Sequence, residues 1–297
     1  MRVQANGLGI EVDDRGPPEA PVMLLVMGLG MQLTAWPDEL VDLLLQRGFR
    51  VVRFDNRDVG LSQGLDELGV PNLPLAALRY WLRMKVRAPY RLADMADDAL
   101  GVLDALGIGA AHVCGASMGG MVAQQLAVRH PQRVRSLALM MTSSGARHLP
   151  QARPAVRRAL LSRPKAGDTA AIEAHLQRLF GLIGSPGYPP EPERLRQRLQ
   201  ASVARAWRPA GTARQLVAIV ADGDRTPLLA RISAPTCVIH GRDDPLVPPA
   251  SAHDLVAHIA GAQLNLIPGM GHDLPLELLP RFADALQANA LRVLGGL

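Results

Sequence analysis

The chain contains 297 residues, of which 48% are hydrophobic, and it has a formal net charge of +5 at pH 7. This length accommodates one α/β domain with an insertion and a full hydrophobic core. No uncharged apolar run approaches the ~18 residues of a transmembrane helix, and the start lacks a signal-peptide core, so we expect a cytoplasmic protein without stable membrane insertion. Aromatic residues make up only 3% of the chain and no binding motif appears, which argues against nucleic-acid binding.

Strand-like and helix-like segments alternate along most of the chain. After a polar, strand-like hairpin at 3–13, apolar runs predict strands at 22–27, 50–54, 111–115, 134–140, 236–240 and 263–267. Helical patterns between or after them lie at 36–46, 94–106, 118–129, 251–259 and 276–291. Continuous apolar strands between helices predict an α/β fold with a mostly parallel, twisted sheet that is covered by helices on both faces.

The segment from 66 to 89 is irregular and contains a basic, amphipathic stretch with aromatic residues at 75–87. Such a stretch can mark a helix that lies on a membrane surface. Because the stretch is short, we favour a helix that packs against the inserted region described below or at the mouth of the pocket.

A serine stands between two glycines just after the predicted strand at 111–115. Gly115, Ser117 and Gly119 form the pattern G-x-S-x-G, and a helical pattern follows at once. Glycines are needed on both sides because a Cβ there would collide with the neighbouring strand and helix. This strand–turn–helix context predicts that Ser117 is a nucleophile at the tip of a strained turn.

The alternation stops between 146 and 230, where only helical patterns remain, at 156–163, 169–182, 192–207 and 212–220. We interpret 146–230 as a helical cap inserted into a core formed by residues 1–145 and 231–297, and we expect it to roof the pocket. Leu179 and Leu182 are expected to face that core.

The inserted region is also strongly basic. Within 146–214, twelve arginines and one lysine outnumber four acidic residues. We favour solvated outer helix faces for these arginines over a basic lid that attracts anionic substrates.

An acidic residue and a histidine follow the serine in chain order. The stretch HGRDDPLVP at 240–248 ends one predicted strand, and PGMGH at 268–272 ends another. A serine hydroxyl becomes a nucleophile only when a base takes its proton and a third group orients that base. The order Ser117, then Asp243 or Asp244, then His272 fits these roles, and the segment 141–145 offers no other acid.

Over nearly its whole length the chain resembles the α/β-hydrolase superfamily, and within it the small bacterial carboxylesterases related to the anthracycline (aclacinomycin) methyl esterases. The resemblance lies in MGLG at 27–30, FDNRDVGLS at 54–62, GASMG at 115–119, HGRDDPLVP at 240–248 and PGMGH at 268–272. It implies the α/β-hydrolase fold, and its Gly-x-x-Asp pattern assigns the acid to Asp244, with Asp243 as the alternative.

The resemblance also implies an oxyanion hole made by two backbone N–H groups. One belongs to Met118, directly after the nucleophile, and the other to Leu29, in the loop after the strand at 22–27. Members of the superfamily more often have His-Gly where this chain has Met27 and Gly28. The glycine still permits the turn, but the side-chain hydrogen bonds that brace the loop must differ.

The sequence implies no cofactor and no metal. Cys114 and Cys237 are the two cysteines, and both lie in predicted central strands that are not neighbours, so we expect reduced, buried thiols. No cluster has metal-ligand spacing, and no nucleotide-binding motif appears in the required context. The oligomeric state is left open.

Together these features predict a serine hydrolase that cleaves carboxylic esters of small to medium, hydrophobic substrates. Methionines at 27, 31, 118, 121 and 270 flank the motifs and suggest an apolar, adaptable pocket. A carbon–carbon bond hydrolase, a lactonase and a perhydrolase would keep the same triad. A non-catalytic ligand-binding protein is disfavoured, because such proteins commonly lose a triad member.

Overall fold

The computed structural model describes residues 1–162, 164 and 168–293. Within them the strands are β1 (Arg2–Ala5), β2 (Leu8–Arg15), β3 (Val22–Val26), β4 (Arg50–Phe54), β5 (Ala111–Ala116), β6 (Val134–Met140), β7 (Thr236–Gly241) and β8 (Gln263–Ile267). They form one eight-stranded sheet in the order β1-β2-β4-β3-β5-β6-β7-β8. The pairs β1–β2 and β2–β4 are antiparallel and the other pairs are parallel, which confirms the predicted, mostly parallel sheet.

Helices connect the parallel strands. In the described part of the chain they are α1 (Asp38–Gln46), α2 (Leu73–Trp81), α3 (Leu92–Ala105), α4 (Met118–Arg129), α5 (Pro154–Leu161), α6 (Thr169–Ile183), α7 (Pro192–Arg205), α8 (Pro209–Asp222), α9 (Thr226–Leu229), α10 (Ala250–His258) and α11 (Leu279–Leu291). Helices α5 to α9 follow one another between β6 and β7. The carboxylates of Asp168 and Glu191 accept hydrogen bonds from backbone N–H groups in the first turns of α6 and α7, so both residues are N-caps.

Side chains of the central strand β3 alternate between two hydrophobic layers. Leu24 and Val26 pack in a layer with α3, α4 and α10 on one face of the sheet. Met23 and Leu25 pack in a second layer with α1 and α11 on the other face. Both faces are covered because each crossover between parallel strands lays a helix against the sheet.

Several predicted elements differ from the observed ones at their ends. The helix predicted at 36–46 begins at Asp38, because Pro37 is its N-cap and Trp36 is extended. In the segment predicted as one helix at 276–291, a 3-10 turn at Leu276–Leu278 precedes α11. The predicted helix at 156–163 corresponds to α5, but its last residue lies outside the described residues, as do 165–167 and 294–297.

The amphipathic stretch at 75–87 is helical only as far as Trp81. Arg83 has a φ of 57°, a left-handed conformation that cannot continue a right-handed helix. One side of α2 packs as expected, since Ala76 belongs to a small buried cluster with Val217 of α8. The other side of α2 is exposed.

Two arginines of the helices between β6 and β7 form ion pairs with buried aspartates of a turn at 55–62; Arg214 is itself buried, and Arg205 is partly exposed. Arg205 on α7 donates to Asp55 Oδ2 at 2.7 Å, and Arg214 on α8 donates to both carboxylate oxygens of Asp58 at 2.8 and 2.7 Å. The prediction of solvated arginines is therefore wrong for these two. A count of charges along the chain cannot show that carboxylates 150 residues away will face them.

The pair between Arg214 and Asp58 is almost fully buried on both sides. Burial raises the pKa of Asp58, but hydrogen bonds from Arg214 and from the N–H of Leu65 outweigh it, so the pKa lies below its ordinary value. The hydrogen bond to Asp58 in turn raises the pKa of Arg214. Both groups stay charged, and removal of either one would leave an uncompensated charge in the interior.

We predict that Arg214→Met lowers the free energy of unfolding by about 3–5 kcal/mol, because the carboxylate of Asp58 stays buried without its partner. Chemical denaturation at neutral pH measures the change. Arg196→Met on α7 is the matched control, since its pair with Glu193 is exposed and its loss should barely affect stability. If Arg214→Met lowers the free energy of unfolding as little as Arg196→Met does, the charge of Asp58 does not need Arg214.

Candidate active site

Ser117 occupies a strained backbone position between β5 and α4. Its φ of 55° and ψ of −120° are unfavourable for a residue with a Cβ, at a cost of about 1–3 kcal/mol. The strand ends at Ala116 and the helix begins at Met118, so the chain reverses direction within one residue. The turn is held because the N–H of Ser117 donates to the carbonyl oxygen of Met140 on β6, at 2.9 Å.

Close packing around this turn explains the flanking glycines. A Cβ on Gly119 would lie 2.0 Å from the carbonyl oxygen of Val26 at the end of β3. A Cβ on Gly115 would lie 2.3 Å from the carbonyl oxygen of Gly119. Since both obstacles are backbone atoms, no side-chain rearrangement could accommodate a larger residue.

Three side chains from different strand ends form a continuous hydrogen-bonded line. His272 Nδ1 lies 2.7 Å from Asp244 Oδ2, and His272 Nε2 lies 3.0 Å from Ser117 Oγ. A carboxylate can only accept, so Nδ1 carries the proton and Nε2 is left to accept from the serine hydroxyl. Asp244 and His272 are buried, whereas Ser117 is partly exposed.

The two neighbouring aspartates have different surroundings. Asp244 is buried, and its second oxygen, Oδ1, accepts hydrogen bonds from the N–H groups of Leu246 and Val247, both at 2.8 Å. Asp243 is exposed and accepts from the N–H of Gly269, at 2.8 Å, in the loop that leads to the histidine. Of the two, only Asp244 touches His272.

His240, at the end of β7, supports the loop that carries Asp244. Its Nε2–H donates to the carbonyl oxygen of Val247 at 2.8 Å, because that carbonyl can only accept. Burial lowers the pKa of His240, so the ring is neutral. Its Nε2 lies 3.6 Å from Asp244 Oδ2, which keeps His240 beside the acid without replacing His272 as its partner.

The loop of His272 is also held from the other side, by the break after α6. The N–H of His272 donates to the carbonyl oxygen of Ile183 at 2.7 Å. Ser185 Oγ accepts from the N–H of Gly271 at 2.8 Å and donates to Asp273 Oδ1 at 2.5 Å. Burial raises the pKa of Asp273, and the hydrogen bond from Ser185 opposes this shift.

The loop predicted to supply an oxyanion donor passes beside Ser117. A Cβ on Gly28 would lie 3.2 Å from the Cβ of Ser117, so the residue directly before Leu29 is packed against the serine. On the other side, Met118 is the first residue of α4, where a backbone N–H has no partner within the helix. The two N–H groups therefore belong to segments that both border the serine.

Side chains from distant segments brace this loop. Asn56 Nδ2 donates to the carbonyl oxygen of Met27 at 2.8 Å. Gln215 Oε1 accepts from the N–H of Gly30 at 2.8 Å, and Gln215 Nε2 donates to the carbonyl oxygen of Arg57 at 2.9 Å. These contacts provide side-chain bracing for a loop that lacks the more common His-Gly.

A narrow cleft opens between this loop and helices α6 to α8. Its lining includes Gly30, Met31, Gln32, Val59, Gly60, Leu176, Phe180, Leu199, Ser202, Ala206, Trp207, Arg208 and Thr212. Its volume of about 30 Å³ is small, since a single water molecule needs roughly 10–15 Å³ in the same measure. Leu182 is exposed, so its predicted orientation toward the core is wrong; Leu176 and Phe180 of the same helix face the cleft instead.

Both cysteines are buried in the sheet. Cys114 on β5 and Cys237 on β7 are each in register with Ala138 of β6, which separates them. Burial raises the pKa of Cys114, and it raises that of Cys237 to about 12, so neither is a thiolate at neutral pH.

In the part of the chain that is described, no cluster of three or more His, Cys, Asp or Glu side chains could hold a metal ion. No helix there is both long and apolar enough to cross a bilayer.

Four contributors to the site were not found by sequence reasoning: Asn56, Gln215, Ser185 and His240. Asn56 and His240 lie inside motifs that were recognised for other residues. Gln215 and Ser185 belong to the helical region, where periodicity predicts helices but not their partners. The one available signal is a pair of polar residues within a largely apolar helix, as at Arg214 and Gln215 in α8.

Comparison with known proteins agrees with this architecture. Residues 21–277 match the family model of the alpha/beta hydrolase fold. Rhodomycin D methylesterase DauP from Streptomyces sp. (strain C5) is 30% identical over 296 residues, which cover 92% of this chain and 91% of the relative.

Two solved structures share the fold. A meta-cleavage product hydrolase from Pseudomonas fluorescens IP01 superimposes with a TM-score of 0.75 at 23% identity, covering 97% of this chain and 96% of the other. An enol-lactonase from Burkholderia xenovorans LB400 has a TM-score of 0.71 at 26% identity, with 99% and 100% covered. The chain belongs to the α/β-hydrolase fold family.

Proposed function

We propose that the protein is a serine hydrolase that cleaves carboxylic esters of small to medium, hydrophobic substrates. The observation that carries the proposal is the line from Ser117 Oγ through His272 to Asp244, with distances of 3.0 and 2.7 Å. This arrangement supplies the nucleophile, base and orienting acid that acyl transfer requires. The similarity to a methylesterase over nine-tenths of the chain supports ester substrates.

The reaction follows from the protonation states. His272 Nε2 takes the proton of Ser117 as Oγ attacks the ester carbonyl, and the resulting imidazolium is stabilised by Asp244. His272 then gives that proton to the leaving alcohol. A water molecule, deprotonated by the same nitrogen, attacks the acyl-enzyme, and collapse of the second intermediate releases the carboxylic acid and restores Ser117.

The negative oxygen of each intermediate needs preorganised donors. We assign this role to the backbone N–H groups of Leu29 and Met118, which border Ser117 from two sides. The bracing of the loop by Asn56 and Gln215 supports the assignment, because a donor contributes most when it need not reorganise during the reaction.

The helices between β6 and β7 select the substrate in this proposal. Residues 146–230 act as a cap over a core formed by 1–145 and 231–297, and their contribution to the cleft is largely apolar, with Leu176, Phe180 and Leu199. An apolar lining favours a hydrophobic acyl or alcohol group. Because the cleft is narrow and its lining contains neither Ser117 nor His272, a substrate must displace side chains of this lining to reach the serine.

Lactones and carbon–carbon bonds next to a carbonyl group are the alternative substrates, and perhydrolysis is a further reaction open to the same triad. Two of the similar structures are an enol-lactonase and a meta-cleavage product hydrolase. The remaining alternative, a non-catalytic ligand-binding protein, would bind a ligand in the pocket without turnover.

A fluorophosphonate probe and a panel of p-nitrophenyl esters of increasing chain length test the proposal. The probe should label Ser117, as shown by mass spectrometry, and Ser117→Ala should abolish both labelling and ester turnover without changing the melting temperature. A residual rate about 10³–10⁴ above that in water can remain from the oxyanion hole and binding. Normal turnover by a folded Ser117→Ala protein would falsify the mechanism, and a labelled protein that hydrolyses lactones but no ester would reassign the substrate.

The neighbouring aspartates provide a matched pair of variants. Asp244→Asn should lower kcat by about 10⁴-fold, because the amide favours the wrong tautomer of His272 and cannot stabilise the imidazolium. Asp243→Asn should change kcat by less than about threefold, because an amide oxygen can still accept from Gly269. Steady-state kinetics on one ester compares them, and the reverse order would assign the acid to Asp243.

Ser185 is expected to act as a positioning residue for His272. Ser185→Ala leaves the N–H of Gly271 without its acceptor, so the loop loosens, and kcat should fall by roughly 10- to 100-fold with little change in KM.

The conservative variant Ser185→Thr should restore kcat in part, since it keeps the hydroxyl. Ser162→Ala, at the end of α5, removes an exposed serine hydroxyl and should behave like the parent. If Ser185→Ala retains the parent's kcat, the break after α6 has no part in positioning the histidine.

A further inference from the structure

Helix α2 and the turn after it expose a strip of large apolar side chains, here called the α2 strip. The exposed fractions of Leu75, Leu78, Trp81, Leu82 and Met84 are 44%, 50%, 77%, 50% and 53%. Single exposed apolar residues are ordinary, but a tryptophan and four aliphatic side chains within ten residues are not. An apolar surface of this kind marks a place where something docks.

Helix α2 packs against the protein on one side, and the strip lies on the other. At about 100° per residue, Leu75, Leu78, Trp81 and Leu82 lie within roughly a third of the helix circumference. The opposite side of the helix carries Leu73, Ala76 and Tyr80, which pack in a cluster with Val217 of α8. Helix α2 thus has one apolar face for the protein and a second one that the described residues leave uncovered.

The surroundings of the strip are positively charged. Between Glu67 and Asp94 the chain contains five cationic residues and no acidic one: Arg79, Arg83, Lys85, Arg87 and Arg91. Among the described residues, these five side chains form no ion pair, although ion pairs bind many other arginines of the protein. The strip therefore combines apolar side chains with unneutralised cations, and its partner should be apolar and anionic.

We propose that the α2 strip docks the protein on the surface of a bilayer that contains anionic lipids. Leucine and tryptophan side chains reach the boundary between head groups and acyl chains, while arginine and lysine extend toward the phosphates. A second copy of the chain fits less well, because a twofold contact through the strip would bring the same cations face to face. Docking is peripheral, since α2 spans nine residues.

The position of the strip relates it to the cleft. Helix α8, on which α2 packs, also lines the cleft with Thr212, about 8 Å along the helix axis from Val217. Leu61, which is 44% exposed, follows Gly60 of the cleft lining. Docking through the strip would hold the cleft close to hydrophobic molecules dissolved in the bilayer. The inference goes beyond the proposed esterase activity and does not depend on it, because binding can be measured without turnover.

Vesicle flotation with the full-length chain tests the proposal, using phosphatidylcholine vesicles with and without phosphatidylglycerol. The protein should float with the mixed vesicles only, and high salt should release it. Leu78→Ser with Trp81→Ser should abolish flotation. Arg79→Glu with Arg83→Glu and Lys85→Glu should weaken binding on the order of a hundredfold or more, since each cation near an anionic surface contributes about fivefold. Arg157→Glu with Arg158→Glu, two exposed arginines on α5, is the matched control and should float like the parent.

Two further measurements keep the test decisive. Brominated acyl chains should quench the fluorescence of the unmodified protein, because Trp36 is buried and Trp81 is the most exposed tryptophan. Analytical ultracentrifugation compares the parent with the serine double variant. Absence of flotation and quenching, or flotation that the strip variants leave unchanged, would overturn the proposal. If the parent is a dimer and the Leu78→Ser, Trp81→Ser variant is a monomer, the proposal is also overturned, and the strip is an interface between two copies of the chain.

Discussion

The backbone of Ser117 is the constraint on which the rest of the site depends. A strand can pass into a helix within one residue only if that residue takes a φ near 55° and the helix starts against the neighbouring strand. This close start requires glycine at 119, where the carbonyl oxygen of Val26 leaves no room for a Cβ. The same crowding brings three groups to one place: the serine hydroxyl, the N-terminus of α4 and the loop that follows β3. The cost of the strained residue is met by the hydrogen bonds and packing that hold the turn from both sides.

The turn at 55–62 joins this site to the helices above it. Its carboxylates, Asp55 and Asp58, are fully buried and would be very costly without cations beside them. Arg205 and Arg214 supply these cations from α7 and α8, while Asn56 in the same turn braces the loop beside the serine. The helices between β6 and β7 are therefore bound to the core by charge pairs, and a change in their position would be felt at the loop that we assign to the oxyanion hole.

The regular features of the molecule could be predicted from the sequence because they leave local signals. Apolar runs separated by helical periods predicted the parallel sheet, and G-x-S-x-G between a strand and a helix pointed to the turn at Ser117. Contacts between distant segments leave no such signal. The partners Arg214 and Asp58 are 156 residues apart, and nothing near either of them specifies the other. Leu182 shows the same limit within a helix: its place in the period predicts a side chain that faces the core, but it is exposed one residue before the end of α6.

In the proposed function, the helices that line the cleft have to admit a substrate and hold His272 in place. They are tied to the core on two sides, by the hydrogen bonds that the histidine loop donates to Ile183 and Ser185 and by the ion pairs of Arg205 and Arg214 with buried aspartates. Between these ties, the N-terminal part of α7 forms the exposed pair of Arg194 with Glu39, and such pairs contribute little. A cleft of about 30 Å³ must widen severalfold for an ester of medium size. Movement of the first turns of α7 would break neither tie, so in the proposed mechanism the cleft opens there while the line from Asp244 to Ser117 is preserved.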